Sequence, residues 1–357
     1  MPQVKLAFVG AGMMAVRHFN NLLKIDGARV VAVCDPSEEA RSRAGEITGA
    51  VGYSNLGEMI RKEDIDAAYV CVPISAHGEV EEVLAENGIP MLIEKPLSPD
   101  PSVTEGVGRA IRRSGVISSV GYHWRYGEAT EEASRLIGGR SVGMVVGSWM
   151  TYLPRPDWWR RKDSNPAQIF EQTTHLFDLS RYLVGEISEV YNLSAMRAMG
   201  EESELDDVST VSVIFDNGAI GSFSSTYMIS YRHRRGLNRL YHHPNRLARI
   251  LAVGTRRLGL WHPGYETNSF RIELMLVLRD MVLQVGQGSI TSTTNGGRRT
   301  TRSRTDPYLL ESRAFVEAVR KGDKDLVRSD YDDAARTHQV VMSAIRSAEM
   351  REPVRLG

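Results

Sequence analysis

The sequence has 357 residues, a formal net charge of zero, 42% hydrophobic residues and 25% charged residues. This length favours two domains, and the ordinary composition excludes disordered and collagen-like classes. No apolar run approaches the roughly 20 residues of a membrane-spanning helix, and the first residues show no secretory signal. We therefore expect a cytoplasmic protein whose two cysteines, Cys34 and Cys71, are buried thiols.

Strand and helix patterns alternate through the first third of the chain. Short, almost wholly apolar segments, typical of strands buried on both faces of a parallel sheet, lie at residues 4–9, 30–34, 67–72, 91–93 and 116–120. Helical spacing bounded by Gly or Pro occurs between them, at residues 13–25, 38–48, 56–62, 77–87 and 103–114. This alternation predicts an α/β domain with a Rossmann-type, doubly wound parallel sheet over residues 1–122.

The pattern changes after Tyr122, and we assign residues 123–357 to a second domain. A helix is predicted at 128–137. After it, longer strands in which apolar and polar residues alternate are predicted at 144–151, 190–196, 210–215 and 219–227. Asn217-Gly218 between the last two strands indicates a tight hairpin, because this pair readily adopts positive φ. We expect an α+β domain with a large open, mostly antiparallel sheet and a last helix, about 331–348, that packs on the domain junction.

A glycine-rich turn between the first strand and the first helix predicts a dinucleotide site. Gly10 permits the tight turn, and Gly12 lets the backbone approach a pyrophosphate. Met13 and Met14 open the helix whose N-terminus faces the phosphates. Asp35 follows the second strand, where a carboxylate accepts hydrogen bonds from the adenosine ribose and repels a 2′-phosphate. NAD is therefore favoured over NADP, and the alternative for Asp35 is a turn or helix-cap residue.

Two arginines on the following helix, Arg41 and Arg43, keep NADP open as a second possibility. Ligands of doubly wound sheets bind beyond the carboxyl ends of the strands, where Pro73 and Lys95 are predicted to lie. A lysine partly desolvated beside a nicotinamide suits proton exchange with a hydroxyl, and Pro96 restricts Lys95 to an extended backbone. The alternative for Lys95 is a surface lysine in a turn.

A second chemical group is predicted on a helix of the second domain. Glu171, His175 and Asp178 fall at positions i, i+4 and i+7, which places them on one helical face. His175, near its ordinary pKa, can accept a substrate hydroxyl proton, with Glu171 orienting the imidazole or relaying the proton. Asp178 is assigned to a neighbouring substrate hydroxyl. The alternative is a helix with ordinary solvated polar residues.

Aromatic and basic residues precede this helix. Trp159 can stack on the apolar face of a sugar, and Arg160 can bind a carboxylate or phosphate through two hydrogen bonds. For the tryptophan, packing between the domains is an equally good alternative. No set of Cys, His and carboxylate residues has the spacing of a metal site, so no metal is expected.

Together these segments are similar to the glucose–fructose oxidoreductase, inositol dehydrogenase and MocA (Gfo/Idh/MocA) family of NAD(P)-dependent sugar and polyol dehydrogenases. The matching pieces follow the family's order over nearly the whole chain: Gly10-x-Gly12-x-x-Ala15, Val72-Pro73 with His77, Glu94-Lys95-Pro96, Gly121-Tyr122-x-x-Arg125-Tyr126 and Glu171-x-x-x-His175-x-x-Asp178. The resemblance implies a Rossmann domain followed by a sheet domain that commonly forms dimers or tetramers. It also implies that Lys95 and His175 flank the reacting carbon.

The resemblance also extends the two sites, adding Pro73, His77, Glu94 and Lys95 to the cofactor site and Tyr122 and Arg125 to the substrate site. Two departures concern the particular substrate more than the chemistry. Pro166-Ala167 stands where the family often has Gly-Gly, and proline fixes φ while alanine resists positive φ. Glu171 stands where the family usually has aspartate, and its side chain is one methylene longer.

An arginine-rich stretch, residues 232–257, is predicted to be an insertion between strands of the second sheet, with a short amphipathic helix at 245–258. Three roles remain open for it. It is a solvated or oligomer-bridging insert, or a pocket wall for a phosphorylated or nucleotide-linked sugar, or a nucleic-acid patch. The last is disfavoured, because no interleaved aromatics or DNA-reading motif accompany it.

The sequence as a whole predicts an NAD-dependent dehydrogenase that acts on a secondary alcohol of a sugar, polyol or sugar derivative. Lys95 and His175 are the predicted acid–base pair. A second hypothesis keeps the fold but uses NAD transiently, in glycoside hydrolysis or epimerisation without net oxidation. A third is a non-catalytic, cofactor-binding regulator, for which loss of the lysine and histidine would be expected.

Overall fold

A computed structural model describes residues 3–154, 157–162, 164–197, 203–229 and 271–357. The arginine-rich stretch 232–257 and the helix expected at 245–258 lie outside the described residues. Within the described ranges, no helix is both long and apolar enough to cross a bilayer. Nor does this part of the chain bring three or more His, Cys, Asp or Glu side chains together as metal ligands.

The first sheet has six parallel strands in the order β3-β2-β1-β4-β5-β6. The strands are β1 (Val4–Val9), β2 (Ala28–Cys34), β3 (Val51–Tyr53), β4 (Ala67–Val70), β5 (Met91–Ile93) and β6 (Ser118–Val120). Every residue of β4, β5 and β6 is buried, which explains their continuous apolar sequences. This confirms the predicted Rossmann-type sheet.

Five helices connect these strands: α1 (Met13–Leu22), α2 (Glu38–Thr48), α3 (Leu56–Lys62), α4 (Glu79–Glu86) and α5 (Pro101–Ser114). The predicted bounds of α2 and α3 are correct, whereas α1 and α4 are shorter than predicted. Helix α4 does not begin at His77, because Gly78 adopts φ of +118° and interrupts the helical backbone. A side chain at Gly78 would also meet Val103 Cγ1 at 2.8 Å.

Over the residues that the structure describes, the second sheet has nine strands in the order β14-β13-β12-β11-β7-β10-β9-β8-β15. They are β7 (Val142–Met150), β8 (Ile187–Ala195), β9 (Val208–Phe215), β10 (Ile220–Thr226), β11 (Arg271–Leu278), β12 (Met281–Gly286), β13 (Ser289–Thr294), β14 (Gly297–Arg302) and β15 (Val354–Arg355). Among the described strands of this second sheet, only β7 and β10 pair in parallel, so the sheet is mostly antiparallel, as predicted. The hairpin between β9 and β10 turns at Gly218, whose φ is +85°.

In the described part of the second half of the chain there are four further helices: α6 (Glu128–Ile137), α7 (Thr174–Val184), α8 (Pro307–Lys321) and α9 (Tyr331–Met350). Helices α6 and α7 pack one face of the nine-stranded sheet into a core that includes Phe177, Phe215 and Phe223. Helix α8 returns to the first sheet, where Phe315 joins Phe8 in a common core.

Helix α9 contributes to the cores of both sheets. Its first turns place Tyr331 and Ala334 in the core of the first sheet, and its later turns place Val340 and Val341 in the core of the second. One rigid helix therefore fixes the two sheets relative to each other. The carboxyl ends of the first sheet's strands consequently face the start of α7, and this edge holds the candidate site.

Candidate active site

The turn between β1 and α1 has the geometry of a dinucleotide-binding turn. Gly10 adopts φ of +88°, and a Cβ there would lie 2.3 Å from the carbonyl oxygen of Cys71. Only glycine therefore lets β1 run so close to the end of β4. A Cβ on Gly12 would meet nothing within 4 Å, and no side chain caps the start of α1. The first backbone N–H groups of α1 consequently remain available to a pyrophosphate.

Side chains around this turn fit the adenosine half of the cofactor. Asp35 accepts hydrogen bonds from the backbone N–H groups of Ala11 and Ser37, both at 2.8 Å. Its carboxylate is thereby fixed at the end of β2, next to the glycine turn. Arg43 donates to the carbonyl oxygen of Ala11 at 3.2 Å. Met13, 80% exposed, and the half-buried Met14 open α1 as predicted.

Lys95 contacts the second domain directly. It follows β5, and its Nζ donates to the backbone oxygen of Glu171 at 2.7 Å and to Glu171 Oε1 at 2.9 Å. Both side chains are mostly buried. The surface-lysine alternative is therefore wrong. The contact brings an ammonium group of the first domain against the segment that leads into α7.

Glu171 does not lie on a regular α-helix. Residues Ile169–Thr173 form one turn of π-helix, and α7 begins only at Thr174. The predicted i, i+4, i+7 face is therefore wrong, because a π-turn rotates Glu171 relative to His175. Burial raises the pKa of Glu171, although the adjacent Lys95 ammonium acts in the opposite direction. Glu171 Oε2 is buried without a hydrogen-bond partner among the described residues.

His175 occupies an aromatic environment at the start of α7. Its ring is nearly parallel to those of Trp124 and Trp149, at centroid distances of 6.4 Å and 5.8 Å. Within the described ranges neither ring nitrogen makes a hydrogen bond, and Nδ1 is buried. Burial, followed by the charge of Lys95, holds the pKa of His175 well below its ordinary value. The expectation of a near-ordinary pKa is therefore wrong, and the imidazole is neutral.

A second imidazole adjoins His175. His123 lies with its ring centroid 4.9 Å from that of His175 and stacks on Tyr308 at 3.6 Å. Its Nε2 is 3.2 Å from the side-chain nitrogen of Gln287. Burial and the neighbouring His175 hold the pKa of His123 well below its ordinary value. The sequence offered no periodic signal for His123, because it follows a strand end within a short irregular turn.

Other predicted cofactor residues occupy the same edge of the first sheet. Glu94 is buried, and its Oε1 is 2.8 Å from Nε2 of the fully buried His18. Pro73 is exposed and precedes a short 3-10 turn, Ile74–Ala76. His77 follows that turn and contacts Glu81.

Arg125 and Asp178 require a correction. The Arg125 guanidinium donates to both carboxylate oxygens of Asp178, at 2.8 Å and 2.6 Å, and the two side chains are 3% and 0% exposed. Arg125 also pairs with Asp333 of α9 at 2.5 Å. Their polar atoms are therefore turned towards protein partners rather than a ligand. The pair joins the short 3-10 turn His123–Tyr126 to α7 and α9.

Tyr122 is likewise buried, with its hydroxyl 3.0 Å from Thr174 Oγ1, so its predicted substrate contact is replaced by a packing role. Trp159 stacks on Trp158 at 4.8 Å between ring centroids. Arg160 ends the same short turn, and its backbone oxygen accepts from the N–H of Glu204 at 2.8 Å. Trp159 and Arg160 stay predictions as substrate contacts.

The sequence-based predictions omit several polar atoms of this region. Among the described residues, buried atoms without hydrogen-bond partners include Trp149 Nε1 and Thr173 Oγ1, while the hydroxyl of Tyr227 interacts with the side chain of Asn165. The charge of Glu171 helps raise the pKa of Tyr227, after burial, so this hydroxyl belongs to the same site. These residues come from separate loops and strands, which no local pattern connects.

The sheet order, the glycine turn and the buried ammonium define a dinucleotide-dependent oxidoreductase. Two family profiles match the chain: the oxidoreductase family with an NAD-binding Rossmann fold, over residues 4–122, and the GFO/IDH/MocA C-terminal domain, over residues 139–248. The chain therefore belongs to the Gfo/Idh/MocA family, and NAD is its cofactor.

Named relatives agree with this assignment. The chain is 27% identical over 248 residues to scyllo-inositol 2-dehydrogenase (NAD(+)) of Bacillus subtilis, covering 65% of this chain and 69% of that protein. It is 29% identical over 225 residues to myo-inositol dehydrogenase Hyg17 of Streptomyces leeuwenhoekii, covering 62% and 69%. The crystal structure of aldose-aldose oxidoreductase from Caulobacter crescentus superimposes with a TM-score of 0.80 at 17% identity, covering 99% and 100%.

The structural role of Asp178 can be tested by Asp178→Asn. Because this change removes one of the two carboxylates that compensate the buried Arg125 guanidinium and leaves Asp333 as the other, we expect the free energy of unfolding to fall by about 1.5–3 kcal/mol. Urea denaturation measures the change. Asp280→Asn, which removes an exposed partner of Arg140, is the matched control and should have little effect. Equal stability of the two variants, with a raised KM only for Asp178→Asn, would instead indicate substrate contact.

Proposed function

We propose that the protein oxidises a secondary alcohol of a sugar or polyol with NAD, with His175 orienting the reacting hydroxyl and Lys95, together with Glu171, taking up its proton. The observation that carries this proposal is the contact of Lys95 Nζ with Glu171, since it brings the ammonium close enough to His175 to affect the imidazole's pKa. The names of the inositol dehydrogenase relatives support the substrate class. The described residues fit a small polar ligand at this cleft.

The character of the pocket supports a polyhydroxylated substrate. Buried polar atoms without partners are rare in native proteins, yet Trp149 and Glu171 each contribute one here. A polyol or sugar presents hydroxyls that both donate and accept, so it can satisfy donors and acceptors at once. The aromatic faces of Trp124 and Trp149 provide apolar surface against which the carbon skeleton packs.

Burial gives His175 and Lys95 different roles in the reaction. A cationic His175 is costly in its desolvated environment, so the neutral imidazole orients the hydroxyl through a hydrogen bond. The Lys95 ammonium stabilises the developing oxyanion, and the proton passes into the Lys95–Glu171 pair. When bound, NAD accepts the hydride that leaves the carbinol carbon.

We also propose that the open face of the nine-stranded sheet binds a second copy of the chain. Met144, Ile220 and Ile214 lie side by side on β7, β10 and β9, and they are 43%, 50% and 43% exposed. Apolar side chains adjacent across three strands form a continuous patch of the kind that interfaces cover.

The free thiols Cys34 and Cys71 support the cytoplasm as the compartment, which fractionation of the native cell would check.

The dimer proposal can be tested with Ile220→Glu. A charge in the middle of the apolar patch should shift the elution volume of the protein towards that of a monomer, because the carboxylate cannot be buried unpaired. Size-exclusion chromatography with light scattering measures the mass. Leu23→Glu, at an exposed position beyond α1, is the control. A wild-type mass of about 39.8 kDa, that of one chain, would reject the proposal directly.

Lys95→Met tests the central assignment. The variant keeps the length of the side chain but removes the ammonium, so NADH formation from a panel of inositols, sugars and polyols should fall at least about 100-fold. Affinity for NADH, followed by its fluorescence, should stay within about threefold. Lys62→Met is the control, since Lys62 is exposed on α3.

Near-normal turnover of Lys95→Met would reject the acid–base role. Wild-type enzyme that converts a sugar without accumulating NADH would instead favour the transient use of NAD in hydrolysis or epimerisation. The two outcomes are distinguishable because the first is read from the variant and the second from the wild type.

We expect the protonation of Glu171 to cause the loss of alcohol oxidation at low pH, which is the acidic limb of the pH profile. The carboxylate must be ionised to take up the proton, so kcat/KM should fall as the pH drops through its raised pKa. Glu171→Gln should lower kcat/KM by about 100-fold or more and abolish that limb. Glu171→Asp, one methylene shorter, is the matched control and should keep it. An unchanged acidic limb in Glu171→Gln would contradict the role.

A further inference from the structure

His77 and Glu81 form a buried pair at the start of α4. His77 Nδ1 lies 2.5 Å from Glu81 Oε1, and the side chains are 5% and 1% exposed. Glu81 Oε2 accepts a hydrogen bond from the backbone N–H of Gly78 at 2.7 Å. The positive φ of Gly78 turns the chain so that this N–H faces the carboxylate. Both oxygens of Glu81 are thus engaged, and its position is fixed.

This arrangement determines which nitrogen of His77 is available. A carboxylate accepts hydrogen bonds, so Glu81 keeps the proton of the neutral imidazole on Nδ1 and leaves the lone pair on Nε2. Within the described residues, Nε2 has no hydrogen-bond partner, yet it is not one of the completely buried atoms. His77 therefore presents a proton acceptor at the edge of the site.

The acceptor lies next to the pair that receives the substrate proton. Val70 at the end of β4 pairs with Ile93 at the end of β5, so the segments that carry His77 and Lys95 leave the sheet side by side at the same edge. In keeping with this placement, His77 acts to lower the pKa of Glu171. Glu171 Oε1 is occupied by Lys95, while Oε2 is buried without a partner among the described residues. A water molecule between Oε2 and His77 Nε2 would satisfy both atoms. Lys95, Glu171 and His77 then form a continuous path from the cleft to its edge.

We propose that His77, positioned by Glu81, transfers the proton of the oxidised alcohol from the Lys95–Glu171 pair to solvent. The inference rests on the proposed function. In each turnover the alcohol loses a hydride with its two electrons to NAD and a proton to Lys95 and Glu171. His77 Nε2 accepts that proton and releases it to bulk water, so the imidazole, the carboxylates and the lysine return to their starting states. Glu81 acts as a positioning residue.

The experiment is His77→Gln, assayed with NAD and scyllo-inositol, or with whichever polyol of the panel the wild type oxidises, in weakly buffered solution. Loss of a proton-transfer group should lower kcat at least about tenfold while KM stays within about threefold. Added imidazole should restore kcat in a saturable manner, because a small base can replace the missing side chain. Wild-type turnover should not respond to imidazole.

Two carboxylate variants complete the test. Glu81→Gln keeps the shape of the helix start but no longer fixes the tautomer of His77, so kcat should fall by a smaller factor and respond to imidazole. Glu79→Gln removes an exposed acid of the same turn and should behave as the wild type. Glu81→Gln also decides the question if His77→Gln does not fold.

The outcomes separate a proton relay from a purely structural role of His77. Unchanged kcat in both His77→Gln and Glu81→Gln overturns the relay, as does a reduced kcat that imidazole does not restore, since a structural defect is insensitive to an added base. A wild-type enzyme that forms no NADH from any polyol overturns the proposed function, and the relay with it. A normal wild type with unaffected variants overturns the relay alone.

Discussion

The contact between Lys95 and Glu171 is the constraint on which the rest of the site depends. It joins the carboxyl edge of the parallel sheet to the π-turn that leads into α7, through hydrogen bonds of 2.7 Å and 2.9 Å. A buried ammonium is tolerated only where oxygen atoms compensate for its lost hydration, so each domain completes the other's chemistry. Helix α9, which contributes to the cores of both sheets, holds the domains in the relative position that this contact requires.

Burial explains how the polar residues divide into separate roles. Two imidazoles, His123 and His175, are kept neutral because their charged forms would be desolvated. Glu171 is buried as well, but it retains a cationic neighbour, so the proton of the reaction has a favourable destination. Arg125 and Asp178, by contrast, satisfy each other and contribute to the framework. Similar residue types thus serve chemistry or packing according to whether their polar atoms are left without partners.

The first domain was largely predictable because its signals are local. Strands buried on both faces have continuous apolar sequences, and the turn at Gly10 requires glycine both for its φ and for its distance to Cys71. The strands from β11 to β15 and helix α8 were missed. For β14 there is a physical reason, since it is exposed throughout and offers no apolar alternation. The π-turn at Glu171 follows tertiary contacts rather than periodicity. Tyr227 and Trp149 reach the site from distant strands, which spacing cannot reveal.

The most direct test of the central claim is a crystal structure of the protein with NAD and a polyol that it oxidises. The account predicts that one carbinol oxygen lies about 3 Å from both Lys95 Nζ and His175 Nε2, and that its carbon faces C4 of the nicotinamide. Lys95 would then exchange one of its two hydrogen bonds to Glu171 for the substrate. A polyol bound away from either nitrogen, with Lys95 still donating both bonds to Glu171, would contradict the account.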